Sequence, residues 1–189
     1  MGCWYGLLLI LIERAGSDEG PDLFEEAVKA DLQKIYSTPT GRKLLDSLHA
    51  SGKPTTIQYA LDGLNRAFIP KGTTTHLYQA DGTPGEGVAI TLGYNPGLDT
   101  IGKEAWSSRP PAIALAHELI HAEQAAHGRM RRGSATNPGA VNKMNPLQPA
   151  IAPVVELETV GVPPHDEYHV SENKIRAEWT PPQPNRDRY

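Results

Sequence analysis

Apolar positions recur at helical spacing in the first part of the chain. Over residues 22–36 this spacing predicts one amphipathic helix entered at Pro21, and its apolar stripe consists of Leu23, Phe24, Ala27, Val28, Leu32 and Ile35. Thr40 and Gly41 interrupt the pattern. A second, shorter helix is predicted over residues 42–50, because Ser51 and Gly52 then stop it.

Between residues 54 and 94 the pattern changes to that of short strands. Runs of alternating or β-branched residues predict strands over residues 56–59, 76–78 and 88–92. Glycines and prolines separate these runs and indicate tight turns between them.

A third helix stands out because nearly all of its side chains are apolar. Pro110 and Pro111 open it, and it runs to His127 and stops at Gly128. A helix that is apolar on every side is expected to lie buried in the core.

The last third of the chain alternates loops with short helices. Residues 129–150 predict mostly loop, and residues 153–160 and 172–179 predict two helices. A proline-rich tail follows over residues 180–189, for which a disordered terminus and an ordered segment are both open interpretations.

Composition limits the protein class. The 189 residues carry a net charge of -4, which excludes nucleic-acid binding driven by bulk positive charge. The single cysteine, Cys3, excludes an internal disulfide framework. The longest apolar run, residues 7–12, predicts a buried strand or helical turn, since a membrane-spanning helix needs about 20 residues. We therefore expect one α+β domain over residues 21–189, preceded by an N-terminal extension over residues 1–20.

The third helix contains the pattern that carries chemistry, His-Glu-x-x-His. His117 and His121 are four residues apart, so both imidazoles stand on one face of the helix and can bind one ion. Imidazole is a good ligand for Zn²⁺. Glu118 lies one step round the helix, where it can act as a general base instead of a ligand.

A catalytic zinc needs a third protein ligand, and two regions compete to supply it. His127 occupies the spacing of a third metzincin histidine, but Gln124 stands where that pattern requires a glycine. On a continuous helix His127 lies about 240° around from His121 and faces away. The other region is the predicted helix over residues 153–160, where Glu156 and Glu158 point in different directions, so only one of them can ligate.

The zinc-binding pattern resembles that of the clostridial neurotoxin light chains. Residues 117–122 (HELIHA) resemble their zinc helix, and residues 156–161 (ELETVG) resemble a Glu-Leu-x-Thr-Phe-Gly segment that provides their third ligand. This resemblance selects Glu156. The light chains also place an Arg-x-x-Tyr pair beside the metal, which Arg186 and Tyr189 match.

The chain also resembles the NleD-like family of bacterial effector zinc metallopeptidases, from about Leu23 to its end. The shared features are a shifted Thr-x-x-Gly-x-x-Leu-Leu segment over residues 38–45, the HELIHA helix, a Ser/Thr-Glu-Asn-x-x-Arg helix over residues 171–176 and an arginine-rich tail ending in tyrosine. The order of these motifs along the chain is more specific for this family than any one motif alone. The resemblance implies a compact, zincin-like α+β metallopeptidase domain with a small mixed sheet.

This resemblance also implies a function. Zn²⁺ held by His117, His121 and Glu156 would activate a water molecule, with Glu118 as the base. Arg186 and Tyr189 would stabilise the developing oxyanion.

The implied enzyme is a monomeric endopeptidase that leaves the bacterium through a dedicated export system. It would act in the host cytoplasm on a host protein such as a mitogen-activated protein kinase, without nucleic acid and without a membrane span. Two alternatives stay open: a zinc hydrolase toxin acting on a non-host or non-peptide target, and a zinc-stabilised binding module.

Three weaker signals complete the picture. Glu172 and Arg176 are four residues apart, which indicates either a surface ion pair or a pair that orients a zinc-binding histidine. The strand over residues 88–92 is a candidate sheet edge for an extended substrate, and an ordinary core strand explains it equally well. Three arginines within residues 129–132 form a basic cluster for which a solvated loop is the simpler interpretation.

Overall fold

The computed structural model of the chain describes residues 9–13 and 22–189. The predicted N-terminal extension falls outside these ranges except for residues 9–13, and so does the helix entry at Pro21. The described strands are β1 (Ile10–Ile12), β2 (Thr55–Tyr59), β3 (Arg66–Phe68), β4 (Ile90–Tyr94), β5 (Ser134–Val141) and β6 (Pro149–Pro153). The described helices are α1 (Leu23–Tyr36), α2 (Pro39–Ala50), α3 (Thr74–Leu77), α4 (Pro111–Ala126), α5 (Val154–Val160) and α6 (Glu172–Glu178).

A four-stranded mixed sheet forms the base of the domain, in the order β1-β2-β4-β3. Strands β1, β2 and β4 run parallel, and β3 pairs antiparallel with β4, aligning Ala67 with Leu92. The strand predicted over residues 88–92 is present and runs over Ile90–Tyr94. It lies between β2 and β3, so the core-strand interpretation is confirmed and the edge interpretation is wrong. The edges of this sheet among the described residues are β1 and β3. Strand β3 has only three residues and no apolar alternation, so its sequence carries no strand pattern.

Helix α4 is the central element, and it packs against α1, α2, α5, α6 and the sheet. Fifteen of its sixteen residues are buried, as its apolar composition predicts. It shares one hydrophobic core with the elements around it. This core contains the apolar faces of α1 and α2, the inward side chains of the sheet and Ile175 of α6. The polar side chains on α4 are consequently held in rigid surroundings.

The start of α2 differs from the prediction because Gly41 does not break the helix. The helix begins at Pro39, and the Thr38 hydroxyl caps it by accepting a hydrogen bond from the Gly41 N–H at 3.0 Å. A Cβ atom at Gly41 would lie 1.9 Å from the carbonyl oxygen of Ile35. Glycine is thus required here by the close approach of two helices.

Two other predicted segments are also wrong. Residues 76–78 lie at the end of the short helix α3 and not in a strand, since a three-residue pattern is too short to distinguish the two. The predicted loop over residues 129–150 contains β5 and part of β6, which form an antiparallel hairpin. This hairpin has few buried side chains, so main-chain pairing holds it without an apolar pattern in the sequence.

The proline-rich tail is packed against the domain. Arg186 is 7% exposed, and its main chain is hydrogen-bonded to the side chain of Asn173 on α6. Of the two interpretations open from the sequence, the ordered tail is therefore the one the structure has. No helix among the described residues has both the length and the apolar character needed to span a membrane.

Candidate metal centre

Helix α4 places His117 and His121 one turn apart, with their ring centroids 4.9 Å from each other. Both imidazoles are buried, and each directs its Nε2 atom towards the same carboxylate oxygen, Oε2 of Glu156. The distances from this oxygen are 3.3 Å to His117 and 3.1 Å to His121.

Glu156 comes from α5, a helix whose boundaries follow from its sequence. Pro153 precedes the first turn, and Gly161 ends the helix in the left-handed region at φ 78°. Helix α5 packs against α4, which brings the Glu156 carboxylate over the two histidines. Sequence spacing alone did not determine this contact, because it depends on how two separate helices pack.

The competing ligand candidates lie elsewhere. Glu158 forms an ion pair with Arg131 at 2.8 Å. His127 caps the C-terminal end of α4, and its Nε2 atom lies 3.1 Å from the carbonyl oxygen of Ser47. Neither belongs to the cluster of His117, His121 and Glu156, whose ligand atoms all lie within 4.8 Å of one another.

The donor set fits a zinc ion. Tetrahedral zinc with ligands at about 2.0–2.1 Å requires donor atoms roughly 3.3 Å apart. Two of the three donor separations, 3.1 and 3.3 Å to Glu156, agree with this geometry, and all three donor atoms lie within 4.8 Å of one another. Two neutral imidazoles and one carboxylate also leave a coordination position open for water.

The cluster is strongly coupled electrostatically. Burial alone would lower the pKa of His117, but its hydrogen bonds to Glu156 and Glu172 raise the pKa to about 9. Burial would likewise raise the pKa of Glu156, yet the two histidines hold it well below its usual range. In the metal-free protein a protonated histidine therefore supplies the positive charge that this carboxylate needs.

A buried ion pair on α6 contacts the Nδ1 side of the His117 imidazole. Oε2 of Glu172 lies 2.8 Å from Nδ1 of His117, and Nε of Arg176 donates to Oε1 of Glu172 at 2.7 Å. The Glu172 and Arg176 side chains are fully buried, so the surface-pair interpretation is wrong. A carboxylate on Nδ1 holds the imidazole with its Nε2 lone pair towards the metal position.

His121 has a different supporting pair, which sequence reasoning missed. Its Nδ1 atom lies 3.3 Å from Oε1 of Gln124 and 3.3 Å from Oγ1 of Thr159. The available signal was a polar Gln124 three residues after His121, in a helix predicted to be buried. Thr159 belongs to the same short segment as Glu156, so α5 provides both a candidate ligand and a support.

The remaining predicted site residues lie in or beside one cleft. Glu118 and Tyr189 line it together with both histidines and Glu156, and residues 65–67 of the β3 region also line it. Partial burial and the nearby Glu156 carboxylate raise the pKa of Tyr189 to about 12, so its phenol stays protonated.

Arg186 adjoins this cleft without lining it. Its Nη1 atom donates to Oε2 of Glu172 at 3.1 Å, and its guanidinium lies 4.8 Å from the Trp106 ring centroid. Two arginines of the basic cluster contact carboxylates: Arg131 pairs with Glu158, and Arg129 lies 3.8 Å from the buried Glu123.

Comparison with known structures identifies the class of fold. The structure is similar to the crystal structure of the Clostridium botulinum neurotoxin serotype F light chain, with a TM-score of 0.52 and 16% sequence identity. The match covers 82% of this chain and 47% of the light chain, so this chain spans about half the length of that protein. The similarity confirms the predicted α+β fold of the zincin-like type.

The family is identified by sequence. The model of peptidase family M91, described as an effector protein, matches residues 12–189. The chain therefore belongs to the M91 family of effector peptidases, which confirms the resemblance to an effector peptidase family. A comparison with curated protein sequences gives no match.

Proposed function

We propose that this M91 peptidase is a zinc-dependent endopeptidase that hydrolyses a host protein. The observation that supports it most directly is the convergence of His117, His121 and Glu156 within 4.8 Å, in the cleft that Glu118 also lines. A purely structural zinc site is usually closed by four protein ligands, and this cluster offers three at a cleft. That difference favours catalysis over a zinc-stabilised binding module.

Zinc, when bound here, supplies a Lewis acid that activates water and polarises the scissile carbonyl. The Glu118 carboxylate accepts the proton of the attacking water and then delivers it to the leaving amine. It is 7% exposed and lies one residue from a histidine of the cluster, so it reaches the same space without being part of the donor set.

Tyr189 and Arg186 stabilise the negative charge that develops on the carbonyl oxygen. The protonated phenol of Tyr189 faces the cleft and donates a hydrogen bond. Arg186 lies against the Tyr189 ring, with its guanidinium 5.5 Å from the ring centroid, so its positive charge favours an oxyanion there.

The substrate binds as an extended strand along β3. This strand is one of the two edges of the sheet in the described part of the structure, and residues 65–67 line the cleft. Unpaired main-chain groups at a sheet edge hydrogen-bond to an added peptide strand irrespective of its side chains. The substrate edge is thus β3 and not the strand over residues 88–92.

Membership of an effector family supports a host protein as the substrate, together with export from the bacterium by a dedicated system and action in the host cytoplasm. A mitogen-activated protein kinase is the substrate class to test first, and a monomer is the form that we expect to act.

The test compares the wild-type protein with Glu118→Gln in a eukaryotic lysate. Both proteins should bind about one zinc per chain, because Glu118 is not a ligand. New protein termini should appear only with the wild type, since loss of a general acid–base group costs roughly 10²–10⁴ in rate. Glu26→Gln is the matched control: it makes the same chemical change at an exposed position on α1 and should cleave normally.

Other outcomes would change the proposal. Zinc binding without wild-type-specific termini would contradict a host endopeptidase and favour a hydrolase acting on another bond. Full cleavage by Glu118→Gln would show that the proposed base is wrong. Failure to bind zinc would remove the metal mechanism altogether.

A further inference from the structure

Two asparagines hold the C-terminal tail by its main chain. Asn173 on α6 accepts from the Arg186 N–H and donates to the Arg186 main-chain oxygen, both at 2.8 Å. Asn137 on β5 makes the same pair of contacts with Tyr189: it accepts from the N–H at 3.0 Å and donates to the main-chain oxygen at 2.6 Å. Each side-chain amide thus pairs with one tail residue as a neighbouring strand would.

Asn137 is unusual within its hairpin. Asn137 is only 6% exposed, whereas most side chains of β5 and β6 face solvent. Its amide carries one hydrogen bond to each main-chain group of Tyr189, so its burial is matched by good partners. The hairpin also leads directly into α5, which carries Glu156.

Among the hydrogen bonds of the described residues, Asn137 alone holds the main chain of Tyr189, while the phenol interacts with the Glu156 carboxylate. The residue is 45% exposed, and its ring contacts Arg186 at 5.5 Å. A half-exposed tyrosine rotates readily at its main chain and its side chain, whereas a catalytic donor must stay close to its working geometry. Two main-chain hydrogen bonds fix the orientation from which the ring extends into the cleft.

We propose that Asn137 is a positioning residue, which aims the Tyr189 phenol into the cleft through its two hydrogen bonds to the Tyr189 main chain. The inference rests on the proposed peptidase function. Through Asn137, the β5–β6 hairpin sets the geometry of the Tyr189 hydroxyl. This hairpin lies outside the cleft and is separate in sequence from the tail.

The kinetic test uses Asn137→Ala alone and combined with Tyr189→Phe. Asn137→Ala should lower kcat by about tenfold to a hundredfold with KM nearly unchanged, because misplacement of a catalytic group costs rates of this order. In the Tyr189→Phe protein the same change should alter kcat by less than about twofold, since the hydroxyl to be positioned is gone.

Asn142→Ala is the matched control within the hairpin. Its side chain accepts from the Met144 and Asn145 N–H groups at 3.1 Å and makes no contact with the tail among its described hydrogen bonds. It should leave kcat within about twofold of wild type even if it loosens the turn. An equal loss in Asn142→Ala would overturn the proposal in favour of general hairpin destabilisation. An equal fall with and without the Tyr189 hydroxyl would also overturn it.

A second readout does not depend on activity. Proteins labelled with 3-fluorotyrosine give a ¹⁹F resonance for Tyr189, assigned by its absence in Tyr189→Phe. This resonance should shift in Asn137→Ala and stay in place in Asn142→Ala, in both metal-free and zinc-loaded protein. An unchanged resonance would overturn the positioning role even in an active protease. A shifted resonance in a protein without protease activity would uphold the positioning and reject the proposed function.

Discussion

At the scale of single residues, the candidate centre is built on charges that compensate one another in a buried environment. His117 lies between two carboxylates, 3.3 Å from Glu156 and 2.8 Å from Glu172. Arg176 and Arg186 in turn bind Glu172 at 2.7 and 3.1 Å. Burial would raise the pKa of Glu172, but its hydrogen bond to His117 and the charges of His117 and the two arginines hold it well below its usual range. The carboxylate therefore stays ionised and orients the histidine.

The first prediction separates the two glutamates of α5. Glu156→Gln should lose zinc, because an amide is a far poorer zinc ligand than a carboxylate. Glu158→Gln, the matched control two residues away, should keep it, since Glu158 pairs with Arg131. Metal analysis after dialysis against a weak chelator measures the difference. Equal zinc retention in the two variants would show that Glu156 does not ligate.

At the scale of elements, the helices that carry the site are those whose sequences have strong end signals. Helix α5 follows Pro153 and ends at Gly161, and α4 begins at Pro111 and ends before Gly128, so both were predicted within about a residue or two. The three-residue β3 and the polar hairpin lack such signals. Their strand pairing depends on partners far away in sequence, which a local pattern does not contain.

The second prediction concerns the helix α2. Alanine is the better helix former by about 1 kcal/mol, so Gly41→Ala would stabilise an isolated helix. In the protein its Cβ atom would lie 1.9 Å from the Ile35 carbonyl oxygen, a main-chain atom that moves only with α1. The clash should prevail and lower the free energy of unfolding by roughly 1–3 kcal/mol. Urea denaturation measures it.

Gly97→Ala is the control for this substitution. Its Cβ atom would meet only the Asn95 side-chain oxygen at 3.3 Å, which can move aside. Its effect should stay within about 0.5 kcal/mol, as for most surface changes. A stabilised Gly41→Ala protein would mean that the two helices do not approach this closely.

At the scale of the whole molecule, a second buried carboxylate ties distant elements together. Glu123 on α4 accepts hydrogen bonds from Ser47 of α2 at 2.7 Å and from Tyr168 at 2.5 Å, and lies 3.0 Å from Nε2 of His169. Burial would raise the pKa of Glu123, but these contacts hold it below its usual value of 4.5. The sequence offered no ligand spacing for His169, and its contact with Glu123 depends on the packing of the 161–171 loop onto α4.

The third prediction follows from this lowered pKa. The unfolded chain takes up a proton at Glu123 near pH 4.5, before the folded protein does, so stability present above that pH is lost as the pH falls below it. Glu123→Gln removes this contribution. In metal-free protein, the free energy of unfolding from urea titrations should therefore fall less steeply with decreasing pH in Glu123→Gln than in wild type.

Glu26→Gln is again the control, because this exposed carboxylate should leave the pH slope close to that of the wild type. Glu156 and Glu172 also have lowered pKa values and contribute to the slope in both proteins, so only the difference reports on Glu123. Identical slopes for wild type and Glu123→Gln would contradict the prediction.

Local patterns in the amino-acid sequence indicate which chemistry is available and which elements carry most of it. Helical spacing put His117, Glu118 and His121 on one buried helix, and end signals delimited the helices of Glu156 and Glu172, because these are local properties of the chain. Only the tertiary structure decided which groups meet. The packing of α5 and α6 on α4 brings Glu156 and Glu172 to opposite sides of His117, and the hairpin brings Asn137 to Tyr189. Such contacts depend on pairing and packing between segments far apart in sequence, which no local pattern records.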